Sequence, residues 1–126
     1  MGEFQFKFFE NKDKYKNDGY VFLEAANINA GTETCNWENK ALFKLGENDI
    51  ASILHHLKFE LPEEGLKLFH KTETKNSTLL FKDGTNGSIS MNLSNSTGQK
   101  VSMFLKPVDI TKFIIFMDEC LRRLIV

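Results

Sequence analysis

The chain has 126 residues, of which 41% are hydrophobic and 26% charged, and its net charge is −1. That is one domain's worth of sequence, with enough apolar material to bury a core without staples. The charge balance excludes a duplex binder held by excess positive charge, but allows one whose lysines are sorted onto one surface. No stretch is long and apolar enough to span a bilayer.

The opening, MGEFQFKFFENK, lacks an apolar signal region and is too acidic for a transit segment, so neither secretion nor import is expected. Within it FQFKFFE (4–10) alternates as a strand does. After the polar NKDKYKNDG come YVFLEAANI (20–28), a strand by its β-formers, then a loop over 29–38 and a third strand, KALFKL (40–45). Gly46 ends that strand, and residues 47–58 turn helical, with Ile50, Ile53, Leu54 and Leu57 on one stripe. Glu47 and Asp49 fall in the first turn and His55, His56 and Lys58 in the last, as the helix dipole favours. The two histidines are neighbours on a helix and point about 100° apart. With no third ligand in sight, no metal site is expected.

FELPEEG (59–65) is a breaker-rich loop, and strands follow at 67–73, 77–82, 88–94 and 100–106. The turn sequences DGTNG and SNSTG between them predict an antiparallel meander. Pro107 stops the sheet and Asp109 is the expected N-cap of a closing helix over 110–126. The two helices begin alike, Asp49-Ile50-x-x-Ile53-Leu54 and Asp109-Ile110-x-x-Phe113-Ile114, each directly after a strand. The pattern predicts an α+β fold of two small antiparallel sheets, each followed by a helix, as a single domain over 1–126.

Three strands share a further pattern. Lys40, Leu42 and Lys44 fall on one face of the third strand, Lys67, Phe69 and Lys71 on one face of the fourth, and Lys100, Ser102, Phe104 and Lys106 on one face of the last. The opposite faces, Ala41, Phe43, Leu45 and Val101, Met103, Leu105, are plain core. Lysines do protect exposed sheet edges. Lysines interleaved with large apolar side chains are also what sequence-tolerant single-strand binding requires, with phosphates on the cations and bases on the rings. A protein-interaction surface is the alternative. Phe69 and Phe104 are the candidate stacking residues, and Trp37 is either a third or a core residue.

Nothing points to catalysis: there is no Gly-rich phosphate loop, nucleophile elbow or paired carboxylates, and no cofactor is expected. His70 lies opposite the Lys67–Phe69–Lys71 face, where a core or inter-sheet role is expected. Cys35 and Cys120 have no metal or redox spacing and read as free thiols of a reducing compartment. The sequons at Asn76, Asn86, Asn92 and Asn95 then read as turn chemistry. The closing helix carries Ile110, Phe113, Ile114, Met117, Leu121 and Leu124 on its apolar face, with Ile115, Phe116, Cys120 and Ile125 beyond it. The narrow polar strip left, Thr111, Lys112, Asp118, Glu119, Arg122 and Arg123, predicts a homo-oligomer that covers the helix on both sides.

The stretch NWENKALFKLGENDIASIL (36–54) resembles the Whirly proteins, single-stranded-DNA-binding proteins known best from plant organelles. LKLFHKT (66–72) is similar to their Glu-Phe-Phe-His segment, ISMNLSN (89–95) to their Phe-Asn-Leu-Ser-Val-Gln strand, and VSMFLKPVDITKF (101–113) to their final strand, proline and helix. The resemblance implies two antiparallel four-stranded sheets packed like propeller blades, each followed by a helix. It also implies tetramers built through the helices, binding single-stranded DNA along the sheets with little sequence preference. DNA replication, recombination or repair is the expected setting. Trypanosome mitochondrial proteins of this fold bind RNA, which keeps RNA as the other ligand. The plant Lys-Gly-Lys-Ala-Ala-Leu motif has no counterpart, and only three strands precede the first helix. These departures, with the missing long N-terminus, fit a compact bacterial or phage relative in the cytoplasm of the cell or of the infected host.

Overall fold

Alternation of apolar and polar side chains builds two antiparallel sheets whose apolar faces meet the helices in one core. The computed structural model describes residues 2–9, 20–29, 31 and 34–125, the first of these by backbone alone. Strands β1 (Gly2–Phe9), β2 (Tyr20–Asn27) and β3 (Ala41–Leu45) form the first sheet, in the order β1-β2-β3. Helix α1 (Glu47–Lys58) follows it. Strands β4 (Leu66–Lys71), β5 (Asn76–Asp83), β6 (Ile89–Asn95) and β7 (Lys100–Leu105) form the second sheet in chain order, and α2 (Pro107–Ile125) closes the chain. The sheet-then-helix unit read from the sequence is therefore present twice. Among the described residues the first sheet has the three strands legible in the sequence, one fewer than the resemblance implied.

Two local differences have physical causes. The loop over 29–38 is tightened by an isolated bridge between Ile28 and Cys35 and ends in a 3-10 turn, Trp37–Asn39. The closing helix begins three residues before its expected start, so Pro107 opens the helix rather than only ending the sheet. Proline suits that position, because its φ is already helical and the first helical N–H has no partner to lose. Lys106 is then the N-cap, and Asp109 is the third helical residue. Its carboxylate accepts from the Lys106 backbone N–H at 3.2 Å. Helix α1 starts the same way, the Asp49 carboxylate accepting from Gly46 N–H at 3.0 Å. The shared Asp-Ile start of the two helices is thus one device used twice, a carboxylate reaching back to an orphan donor at the positive end of the dipole.

The core runs through both sheets and both helices. Leu23, Phe43 and Leu45 enter it from the first sheet, Leu79, Phe81, Met91 and Leu93 from the second, Ile50 and Ile53 from α1, and Met117 from α2, all at most 2% exposed. Phe81 meets Phe113 of α2 with ring centroids 5.9 Å apart. Complete burial of such side chains stabilises by about 1.5–3 kcal/mol each.

Polar ties fix the sheets against each other. Asn27 Nδ2 donates to the Lys100 carbonyl at 3.0 Å, and Gln99 Nε2 to the Asn39 carbonyl at 2.7 Å. His70 of β4 packs edge-on to Phe43 of β3, centroids 4.5 Å apart, and its Nε2–H donates to Asp49 at 2.9 Å. The histidine is inter-sheet, as expected. Gly65 enters β4 with φ +93°, and a Cβ there would lie 2.7 Å from the Phe81 carbonyl, so only glycine fits.

The sequon asparagines divide. Asn86 sits at φ 55° in the β5–β6 turn, and the Asn95 side chain accepts from Thr97 N–H and Gln99 N–H, both at 3.1 Å. Asn76 instead opens β5 and Asn92 lies inside β6, so turn chemistry does not account for them.

Candidate nucleic-acid interface

Strand register decides which lysines and aromatics share a surface. In the second sheet Phe69 pairs with Thr78, Thr78 with Ser94, and Ser94 with Lys100. The next outward row is Lys67, Leu80, Asn92 and Ser102, and the one after it Lys82, Ser90 and Phe104. The outer face is therefore a floor of hydroxyls and amides with phenylalanines at opposite corners. Both rings are 56% exposed. From strand spacing and rise they stand about 20 Å apart on the diagonal. Between them a concavity of about 450 Å³ is lined by Lys67, Thr78, Leu80, Asn92, Ser94 and Lys100. That space suits a small organic group such as one nucleotide.

A second concavity, about 390 Å³, opens between the sheets. Phe22, Leu42 and Phe43 give it apolar walls, and Lys40, Lys44, Lys71 and Lys75 surround them. The lysines are not equivalent. Lys40 Nζ lies 2.8 Å from Glu24, a carboxylate only 7% exposed, so its charge is engaged in neutralising a buried acid. Lys44 Nζ sits 4.2 Å from the centre of the Tyr20 ring, a cation–π contact that leaves the charge available. Among the described residues Lys67, Lys71, Lys75 and Lys100 are in no ion pair.

The residues singled out in the sequence thus form two groups. Lys67, Phe69, Lys100 and Phe104 belong to the outer face of the second sheet, and Lys40, Lys44 and Lys71 to the inter-sheet cleft. Two stand apart. Lys106 lies past the end of β7 as the N-cap of α2, and so leaves the strand face assigned to it. Trp37 is half-buried in its 3-10 turn, outside the buried core and on no strand face. Sequence reasoning missed Tyr20, Phe22, Lys75 and the floor residues Thr78, Leu80, Asn92 and Ser94. Alternation in YVFLEAAN sets Tyr20 and Phe22 opposite Val21 and Leu23, and the same alternation in SISMNLS sets Asn92 and Ser94 opposite Met91 and Leu93. Neither strand has a lysine flanking them, so the lysine pattern does not mark either.

Among the described residues no group of three His, Cys, Asp or Glu side chains could hold a metal, and no helix is long and apolar enough to cross a membrane. Neither Cys35 nor Cys120 is in a disulfide. Burial raises the Cys120 thiol above its usual 9.0, against a lowering by Arg123, so it stays protonated at neutral pH.

Two sheets, each closed by a helix, with cations and exposed aromatics on the faces away from the core, define the class. The sequence profile of one family, described as Whirly transcription factor, matches residues 3–117, and the chain belongs to the Whirly family. Its fold is similar to that of WHY1 from Arabidopsis thaliana, with a TM-score of 0.72 at 15% identity, over 98% of this chain and 79% of that one. It is also similar to the plant transcriptional regulator PBF-2, with a TM-score of 0.69 at 14% identity, over 98% of this chain and 76% of the other. Comparison with curated protein sequences returned no match.

Proposed function

We propose that this chain is a non-catalytic single-stranded-DNA-binding protein with little sequence preference, serving DNA replication, recombination or repair. The observation that carries the reading is the outer face of the second sheet, where Phe69 and Phe104 stand 56% exposed on the same face as Lys67 and Lys100. Rings offer bases a stacking surface and lysines hold the backbone, and only an unpaired strand can present its base faces to them. Membership of a family described as transcription factors supports a nucleic-acid ligand. Cys35 and Cys120, neither in a disulfide, suit a reducing compartment, and the reading puts the protein in the cytoplasm of a bacterial or phage-infected cell.

The same reading makes the protein a homotetramer joined through its helices. Val108, Ile115 and Ile125 of α2 are 59–66% exposed, and Phe59, just after α1, is 77% exposed. Cys120, counted from the sequence among the outward positions, is only 3% exposed and belongs to the core. A second copy covering the remaining apolar side chains would multiply weak strand contacts into useful affinity.

Mobility shifts with oligo-dT, oligo-U and duplex at two salt concentrations test the ligand. Preferential, salt-sensitive retention of oligo-dT is expected. Equal or tighter binding to duplex sinks the reading, and preference for oligo-U moves it to RNA.

A further inference from the structure

The centre of the polar floor carries a chain of hydrogen bonds with one possible direction. Ser102 Oγ–H donates to Asn92 Oδ1 at 2.6 Å, Asn92 Nδ2–H donates to Ser90 Oγ at 3.3 Å, and Ser90 Oγ–H donates to the Lys82 carbonyl at 3.3 Å. A backbone carbonyl can only accept, so Ser90 has spent its proton and must accept from the amide nitrogen. That fixes which way the Asn92 side chain faces. An amide has two hydrogens and two acceptor sites on its oxygen, and the chain consumes one of each. One donor on Nδ2 and one acceptor on Oδ1 are left for a ligand. Asn92 lines the concavity together with Leu80, Lys67 and Lys100.

We propose that Asn92 recognises unpaired bases on the outer face of the second sheet, whatever their identity, by offering this donor and acceptor to the Watson–Crick edge. The chemistry is degenerate by nature. Adenine (N6–H and N1), cytosine (N4–H and N3), guanine (N1–H and O6) and thymine (N3–H and O4) each carry one donor beside one acceptor on that edge. An oriented amide complements all four, and in a duplex all four edges are already paired. Asn92 therefore reads strandedness and not sequence, while Ser90 and Ser102 are positioning residues that hold the amide still. From strand spacing, Lys100 lies about 7–8 Å away on the neighbouring strand, within reach of the phosphate of a nucleotide whose base meets Asn92. The half-buried Leu80, directly across from Asn92, gives that base an apolar bed.

This inference rests on the single-strand reading, and the test separates the two. Fluorescence anisotropy compares wild type and Asn92→Ala on oligo-dT, oligo-dA, an abasic oligonucleotide of equal length, and duplex, at one salt concentration. The variant is expected to bind oligo-dT and oligo-dA about 3- to 10-fold more weakly, the worth of one or two lost hydrogen bonds. Its affinities for the abasic strand and the duplex stay at the wild-type values, and its salt slope stays unchanged. Ser102→Ala, which frees the amide without removing it, shows a smaller loss on the same two strands. Should Asn92→Ala fail to fold, Asn92→Ser retains a hydroxyl for the chain and carries the same comparison. Equal losses on abasic and base-bearing strands, a loss on one base alone, or no loss overturns the assignment of Asn92. A wild type that does not prefer single strands to duplex overturns the single-strand reading, and this inference with it.

Discussion

Three phenylalanines show how side chains of one type divide between roles. Phe69 and Phe104 are 56% exposed and Phe81 is fully buried, yet all three lie on strands of the same sheet. Phe81→Ala is expected to cost about 3–5 kcal/mol of stability by opening a cavity. Phe69→Ala and Phe104→Ala should cost under about 1 kcal/mol of stability and lose about 1–3 kcal/mol of single-strand binding each. Thermal melts beside titrations of oligo-dT decide it, and a core-sized loss of stability in either variant would remove it from the interface. The lysines divide in the same way. Lys40→Ala takes the ammonium from beside buried Glu24 and should lower the melting temperature with little change in binding. Lys44→Ala should leave the melt unchanged and reduce the salt slope of binding by about 0.7, the effect of one phosphate contact on a single strand. Identical behaviour of the two variants would show that the Glu24 pair does not set Lys40 apart.

At the level of elements, the two helices share a start but not its surroundings. Asp109 holds the Lys106 N–H, whereas Asp49 holds both Gly46 N–H and His70 Nε2–H on one oxygen. Loss of a helix-start hydrogen bond costs about 1 kcal/mol. Asp49→Ala adds the loss of the tie from α1 to β4, about another 1 kcal/mol. Urea denaturation should therefore rank Asp49→Ala below Asp109→Ala in stability. The reverse order would mean that the His70 contact contributes nothing. The tie also bears on the interface, because His70 and Phe43 both line the inter-sheet cleft that Lys44 and Lys71 surround.

For the whole molecule, charge and assembly are linked. A chain of net charge −1 cannot hold a polyanion by bulk attraction, so its lysines must act locally and in number. The proposed assembly through the helices would supply that number. Light scattering at low micromolar concentration should give the mass of four chains. Ile115→Glu, at a position 65% exposed within the chain, should shift that mass toward the monomer without unfolding it. Single-strand affinity should fall with the loss of avidity. A wild type that scatters as a stable monomer removes both the assembly and the avidity argument.

Among the described residues periodicity alone determined the seven strands, both helices, the repeated unit and the inward faces of β2 to β7, because a side chain's face on a strand follows from counting by two. Lys67, Phe69, Lys100 and Phe104 were legible for the same reason. Counting along one strand says nothing about its neighbours, so only register could show that Phe69 and Phe104 stand at opposite corners of one floor with Asn92 at its centre. The separation of Lys40 from Lys44 was equally hidden. Glu24 lies sixteen residues from Lys40, and only the pairing of β2 with β3 brings its carboxylate to 2.8 Å. Lys106 fell off its strand because Pro107 favours a helix start over one more residue of sheet, a contest that alternation does not register. Local sequence sets which way each side chain faces, and contacts between distant segments set what it meets there.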